Sequence, residues 1–187
     1  VSILIIIIFT FQFDNVKTKM LDDTLAETNI LGDRPMVFTA GHEQIFTTAI
    51  KMFLDKPLFG HGPKLYREIC SKPEYVVFLD DSKTSTACTT HPHNSYLQLL
   101  SETGIVGLIP ILSLFVFLVY KFAQQLSRII FLNEVRLLSD YQVCLLATLL
   151  ISIWPLAPSM NFFNNWISII YFLPIGFILH SFYGNKE

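Results

Sequence analysis

The chain has 187 residues, of which 52% are hydrophobic and 15% are charged, and its formal net charge is −2 at pH 7. Average soluble domains carry about 25% charged residues, so this composition favours a membrane protein over a soluble domain. The mean hydropathy of +0.49 agrees with that class. The weakly acidic balance offers no basic surface for nucleic acid, so no nucleic-acid partner is expected.

Four apolar stretches predict membrane-spanning helices, and they cover residues 1–13, 104–122, 141–156 and 166–182. A helix needs roughly 20 residues to cross ~30 Å of hydrocarbon. The second and fourth stretches reach that length, the third needs neighbouring residues to complete it, and the first is too short alone. The chain begins inside an apolar run with neither an initiator Met nor a basic segment, which we interpret as a cut helix in a larger multispan protein.

The basic residues predict the orientation of these spans. Lys121, Arg128 and Arg136 lie in or beside the short connection after the second stretch, and Lys/Arg-rich short connections face the cytoplasm. The long loop before it then faces the periplasm of a bacterium, and the protein sits in the inner membrane with the bilayer as a partner. The predicted fold is an all-α integral membrane protein, a multispan helical bundle with a large periplasmic loop containing amphipathic helices.

The predicted segments follow one another along the chain: a truncated transmembrane helix (1–13), the large periplasmic loop (14–101), a transmembrane helix (102–123), a cytoplasmic loop (124–139), a transmembrane helix (140–157), a periplasmic connection (158–165), a transmembrane helix (166–183) and a cytoplasmic tail (184–187).

An amphipathic helix is predicted in the loop from Gly41 to about Asp55, because Ile45, Ala49 and Phe53 fall on one stripe with Ile50 beside it. Its apolar face could rest on the bilayer or pack on other spans. The helix ends before Pro57, and the polar stretch before it contains a predicted turn at residues 32–35.

The segment after that helix carries a glycine turn and cations. Gly60 and Gly62 flank His61, and such a turn lets backbone amides approach a ligand closely. Lys64 and Arg67 follow on one or two predicted helical turns, where residues three apart share a face.

The cysteines leave three alternatives open. Cys70 and Cys88 both lie in the predicted periplasmic loop, where an oxidising compartment allows a disulfide. Two unpaired thiols are the plain alternative, and a zinc site from Cys88, His91 and His93 is a third, although its spacing fits no standard zinc motif. Cys144 lies in an apolar stretch and is expected to be a small packing residue.

The sequence between the loop and the next span is its most informative part. It reads Thr90-His91-Pro92-His93-Asn94-Ser95-Tyr96-Leu97-Gln98-Leu99-Leu100-Ser101-Glu102-Thr103-Gly104-Ile105-Val106-Gly107. Together with the preceding amphipathic helix, the glycine turn and Leu65-Tyr66-Arg67-x-x-Cys70, this order resembles the O-antigen ligase and polymerase family over about residues 41–120. The stretch at residues 158–166 resembles the last periplasmic connection of that family.

The resemblance implies a membrane glycosyltransferase that takes a glycan from undecaprenyl diphosphate without a metal, nucleotide or other cofactor. The acceptor is a lipid A–core sugar in ligases and another carrier-linked glycan in polymerases, and both alternatives stay open. A departure from the family lies after Gly41, where His42 stands at the place of a common Arg. Arg67 is therefore our candidate for the diphosphate contact, and Lys64 and His42 are further candidates for substrate binding.

Glycosyl transfer from a diphosphate needs a base near the acceptor hydroxyl and cations near the leaving group. We predict that His93 is the base, because imidazole is largely neutral at neutral pH; capping the next helix is the structural alternative. Asn94 would orient the imidazole or the acceptor, or serve as an N-cap. His91 is expected to support the site from a turn.

Two other side chains have predicted roles or alternatives near the span. Arg67 could instead form a surface ion pair. Glu102 stands near the span entrance, where an unpaired carboxylate is costly, so we expect it to have an Arg or His partner.

Two other classes of protein remain. A transporter or flippase fragment would carry its polar groups near the bilayer midplane in broken helices, whereas here they cluster in a loop and at a span entrance. A non-catalytic membrane anchor would have no need of the His-Asn-Ser cluster.

Overall fold

The structure is a computed structural model and describes residues 10–28, 38–78 and 88–184. Within these ranges every regular element is helical and there is no strand. The elements are α1 (Asp14–Lys17), α2 (Asp23–Thr28), α3 (Ala40–Asp55), α4 (Tyr66–Ile69), α5 (Ser95–Ile130), α6 (Asp140–Ser152) and α7 (Asn165–Tyr183), with a π-helical turn at Thr18–Asp22 between α1 and α2. Most of the predicted truncated span, the turn at residues 32–35 and the end of the predicted tail lie outside the described residues.

Among the helices that the structure describes, two are long and apolar enough to cross a membrane, α5 with 36 residues and α7 with 19. Helix α6 has 13 residues, which is about 20 Å of helix at 1.5 Å per residue and less than the ~30 Å of hydrocarbon. It ends at Ser152, before the predicted bound at residue 157. Pro155 and Pro158 follow in an irregular segment, and proline cannot continue a helical hydrogen-bond ladder.

The three C-terminal helices share one apolar core. It contains Leu118 of α5, Leu146 and Leu149 of α6, and Ile167 and Tyr171 of α7. The Gln142 side chain at the start of α6 donates to the carbonyl of Ser181 near the end of α7 over 3.1 Å. The two helices are therefore antiparallel neighbours, and the segment at residues 153–164 lies at the same end as the start of α5.

Helix α3 forms a second core with the loop that follows it. Ile45, Ala49 and Met52 are buried against Tyr66 and Tyr75. The predicted helix is confirmed, and Ile45 and Ala49 lie on its buried face, but Ile50 is exposed. The buried hydroxyl of Tyr66 in this core is paired, because it donates to the carbonyl of Ile45 over 3.2 Å.

Helix α5 is interrupted at Gly104, whose φ of 65° and ψ of −164° are not helical. The amides of Ile105 and Val106 donate to the carbonyls of Pro57 and Leu58 over 2.9 and 3.3 Å. These carbonyls supply partners to amides that the break separates from their helical acceptors. The long apolar part of α5 thus begins at this break, anchored to the chain after α3.

The opposite end of the bundle gathers the basic residues. Arg128 pairs with Glu134 over 2.7 Å, and Arg136 pairs with Asp140. Helix α5 continues to Ile130, past the predicted bound at residue 123, so Arg128 lies within the helix.

Candidate functional site

Three histidine rings form a cluster beside the start of α5. The ring centroids of His91 and His93 are 4.4 Å apart, and those of His42 and His93 are 5.8 Å apart. His42 comes from the first turn of α3, whereas the other two come from the segment before α5. The fold therefore brings together residues that are about 50 positions apart in sequence.

His93 occupies the centre of this histidine cluster in an unusual backbone conformation. Its φ is 55°, in the left-handed region that few non-glycine residues adopt. Among the described residues, its ring nitrogens have no hydrogen-bond partner, although the neighbouring histidines do. Burial and then the nearby His91 and His42 lower the pKa of His93, so its imidazole is neutral and able to accept a proton at neutral pH.

His91 is held by hydrogen bonds at both ring nitrogens. Nε2 lies 3.2 Å from the carbonyl oxygen of Ser159, and Nδ1 lies 2.9 Å from the hydroxyl of Thr90. A carbonyl can only accept, so Nε2 carries the proton and Nδ1 accepts from Thr90. Burial lowers the pKa of His91, partly opposed by the bond to Ser159. The half-buried ring of His91 is therefore fixed against the segment at residues 153–164 that connects α6 and α7.

Asn94 caps α5 and also reaches across the site. Its Oδ1 accepts from the amides of Tyr96 and Leu97 over 3.0 and 3.1 Å, as an N-cap does. Its Nδ2 donates to the carbonyl of Pro155 over 2.7 Å. Both polar ends of the side chain thus have protein partners, and no hydrogen bond joins it to the described imidazoles.

Glu102 is fully buried and holds the turn that precedes α4. Its carboxylate accepts from the amides of Lys64 and Tyr66 over 2.9 and 3.0 Å, and from the side chain of Gln98 over 3.1 Å. We expected an Arg or His partner, but the direct partners are two backbone amides and a carboxamide. Arg67 acts on Glu102 only through its charge.

The glycine turn offers no free amides, contrary to expectation. The amide of His61 donates to the carbonyl of Ser101 over 3.1 Å, and that of Gly62 to the carbonyl of Glu102 over 2.7 Å. A Cβ atom at Gly60 would overlap the backbone of Glu102. The glycines therefore allow close packing of the turn against α5, and the amides bind protein carbonyls in place of a ligand.

The two predicted cations lie on the surface near Glu102. Arg67 is more than half exposed and forms an ion pair with Glu68 over 3.2 Å. Lys64 has a left-handed φ of 64° and uses its amide on Glu102, while its side chain is exposed. In the described part of the chain, no hydrogen bond or ion pair joins either cation to the histidine cluster.

Cys70 and Cys88 are joined in a disulfide. The bond connects the end of α4 to the segment that carries His91 and His93. Because Cys88 is used in this bond, its thiolate is not available to zinc, and the described residues contain no group of three His, Cys, Asp or Glu able to hold a metal ion. Cys144 is free and exposed on α6.

A cleft of about 280 Å³ opens beside the histidine cluster, between the start of α5, the end of α6 and the start of α7. Three of its polar groups form a chain of hydroxyls. The hydroxyl oxygen of Ser95 lies 2.9 Å from that of Ser159 and 3.2 Å from that of Tyr171. The amide of Ser159 donates to the carbonyl of His93 over 2.9 Å. Ser159 therefore contacts both the cleft and the candidate base.

Three polar residues of the site had no role in the sequence interpretation: Gln98, Asn161 and Ser159. The motif contains Gln98 one helical turn before Glu102, and such a spacing places both side chains on one face. That spacing is a signal that could have suggested the pair. The contacts with Asn161 and Ser159 join residues more than 60 positions apart, which helical periodicity cannot predict.

Comparison with known proteins identifies the family of the chain. The sequence model of the O-antigen ligase family matches residues 1–112, which include the histidine cluster and the start of the long apolar helix. This match covers more than half of the chain, so the chain belongs to the O-antigen ligase family.

The chain is also similar to a Rickettsia conorii protein named "Putative polysaccharide ligase", with 34% identity over 76 residues. That similarity covers 41% of this chain and 17% of the relative, so the chain spans only a small part of the relative's length. No solved structure matches the chain.

Proposed function

We propose that this chain carries the periplasmic active site of a membrane glycosyltransferase, which moves a glycan from undecaprenyl diphosphate to an acceptor sugar. Membership of the O-antigen ligase family supports the reaction class. The observation that carries the assignment is the state of His93. Its imidazole is neutral, its ring nitrogens have no partner among the described residues, and its strained backbone lies between two further histidines. Strained residues of this kind are concentrated at functional sites.

The proposed chemistry is a single displacement. The acceptor hydroxyl gives its proton to a ring nitrogen of His93, and its oxygen bonds to the anomeric carbon of the donor sugar. The bond between that carbon and the carrier diphosphate breaks, and the electron pair leaves with the diphosphate. Arg67, assisted by Lys64, stabilises the charge that develops there, and we assign no step to a metal. His42 and His91 flank the base, while Asn94 shapes the acceptor side.

Complementation with the full-length protein tests this function. A strain that lacks its O-antigen ligase should regain lipopolysaccharide carrying long glycan when it expresses the protein. Rescue of a polymerase-deficient strain instead would assign the polymerase reaction. Failure to rescue either strain, with the protein present in the membrane, would contradict the proposal.

We also propose that the histidine cluster faces the periplasm and the basic end of the bundle faces the cytoplasm of the inner membrane. In a Cys144→Ser background, an impermeant thiol reagent should label Glu74→Cys in cells with a permeabilised outer membrane. Asn133→Cys, at the opposite end of α5, is the control and should be labelled only after lysis of the inner membrane. The reverse pattern would overturn the orientation.

The pH dependence of transfer should reflect the lowered pKa of His93. The base must be neutral, so activity is lost as pH falls through that pKa, and the midpoint of the acidic limb of kcat/KM should lie below the ordinary value of about 6.5. His91→Gln keeps a donor for Ser159 but removes an imidazole whose cationic form opposes protonation of His93. It should therefore move the limb upward. If the acidic limb stayed at the same pH, a group other than His93 would be responsible for it, and the interaction between His91 and His93 would not influence the reaction.

Arg67→Lys should raise the KM for the donor more than that for the acceptor, because lysine keeps the charge but loses the planar fork that binds two phosphate oxygens. Steady-state kinetics with purified donor and acceptor would measure both constants. Lys72→Ala, which removes an exposed cation five positions away, should change neither. If Arg67→Lys and Lys72→Ala changed the KM for the donor equally, Arg67 would have no role in donor binding beyond its surface ion pair with Glu68.

A further inference from the structure

We infer that Gln98 is a positioning residue that couples the donor side of the site to the base side. This inference rests on the proposed function for its kinetic part only. Gln98 is fully buried in the first turns of α5. It lies between the turn at residues 62–66 and the connection at residues 159–163, which are nearly 100 residues apart in the chain. Each polar atom of its side chain has a partner in the second of these segments or in the Glu102 carboxylate, which holds the first.

The Gln98 amide nitrogen has two acceptors. It donates to Oε2 of Glu102 over 3.1 Å and to Oδ1 of Asn161 over 2.9 Å. Its oxygen accepts from the amide of Phe162 over 2.8 Å. Both protons and the oxygen of the carboxamide are therefore used, so no other residue type can reproduce all three bonds.

On the donor side, Glu102 transmits this coupling to the turn before Arg67. Its carboxylate holds the amides of Lys64 and Tyr66, and the amide of Gly62 donates to its carbonyl. A buried carboxylate needs such partners, since loss of a hydrogen-bonding partner leaves a charge without compensation. The hydrogen bond from Gln98 therefore fixes the rotamer of Glu102, whose carboxylate holds the turn that carries Lys64 and precedes Arg67.

On the base side, Asn161 and Phe162 belong to the connection that fixes the histidines. Two residues earlier, Ser159 accepts from the ring of His91 and donates to the carbonyl of His93. A shift of this connection would move the His93 backbone. Displacements of about 1 Å can lower a rate by roughly 100-fold, so Gln98 can influence transfer without touching a substrate.

Gln98→Met tests this coupling, because methionine keeps the length of the side chain and removes its hydrogen bonds. Hydrogen exchange of the full-length protein should become faster in peptides containing residues 62–66 and also in those containing residues 159–163. The control is Gln125→Met, which removes another buried glutamine of α5 that accepts from Leu137 and Leu138 at the opposite end. It should leave exchange in both segments unchanged.

The kinetic test uses an exchange of the two side chains. Gln98→Glu places a second carboxylate against Glu102 and should lower transfer by about 100-fold. Adding Glu102→Gln removes the repulsion, because the carboxamide nitrogen at 102 can donate to the carboxylate at 98, which still accepts from Phe162. The Lys64 amide and Oδ1 of Asn161 lose their partners in this swap, so the rescue is partial. The double variant should therefore be at least 5-fold faster than Gln98→Glu alone, on the order of the coupling between residues in contact. A residue with only a general effect on stability would show no such rescue.

Faster exchange in both segments together with rescue supports the coupling. Faster exchange in one segment only, or in neither, overturns it, and so does Gln98→Met with a wild-type rate. If Gln98→Glu fails to fold, the hydrogen exchange and the transfer rate of Gln98→Met decide whether Gln98 couples the two segments. If the wild-type protein transfers no glycan, the proposed function fails, whereas the exchange pattern still decides whether Gln98 couples the segments.

Discussion

Replacing His93 with asparagine should lower the rate of glycan transfer by about 10²–10⁴-fold, the usual cost of removing a general base. Asparagine is the informative replacement, because it adopts left-handed backbone conformations readily and so fits the φ of 55° at this position. Alanine would combine the loss of the base with backbone strain. The free energy of unfolding of His93→Asn should be unchanged or slightly raised. Transfer assays on purified protein and thermal melts would measure the two quantities.

His61 provides the matched control for His93. Its side chain is buried, and its Nε2 lies 3.0 Å from the carbonyl of Met52 in the core beside α3. His61→Ala should therefore lower stability and leave the rate per folded molecule close to that of the wild type. A wild-type rate for His93→Asn would show that the base assignment is wrong, and His42 would become the next candidate.

The sequence predicted those features that depend on local pattern. Apolar runs indicated α5 and α7, and the spacing of Ile45 and Ala49 indicated α3 with its buried face. The position of Asn94 before a helix indicated an N-cap, and the family motif directed attention to His93. Each of these features is set by residues within a few turns of one another, so periodicity and capping preferences are sufficient.

The features that the sequence interpretation missed depend on contacts between distant segments. Free amides were expected in the glycine turn, but they bind the carbonyls of Ser101 and Glu102. An Arg or His partner was expected for Glu102, whereas Gln98 and two backbone amides hold it. The sequence can indicate that a buried carboxylate needs hydrogen-bond partners, but only the tertiary arrangement decides which groups supply them.

The break at Gly104 is the second position where a large effect is expected, here on folding. Gly104→Ala should destabilise the protein by at least about 1–3 kcal/mol, because its combination of φ and ψ is one that essentially only glycine adopts. The added methyl group would also overlap the backbone of Leu58. Relieving that overlap would separate the carbonyls of Pro57 and Leu58 from the amides that begin the long apolar part of α5.

Gly176→Ala is the matched control for Gly104→Ala. Gly176 lies inside α7, and a Cβ atom there would meet nothing within 4 Å. Alanine is favoured over glycine in a helix by about 1 kcal/mol, so this variant should be neutral or stabilising. Thermal melts in detergent and protease resistance would compare the two variants. If Gly104→Ala melted at the wild-type temperature, α5 would be able to continue as an unbroken helix through this position, and the anchoring of its long apolar part to Pro57 and Leu58 would be dispensable.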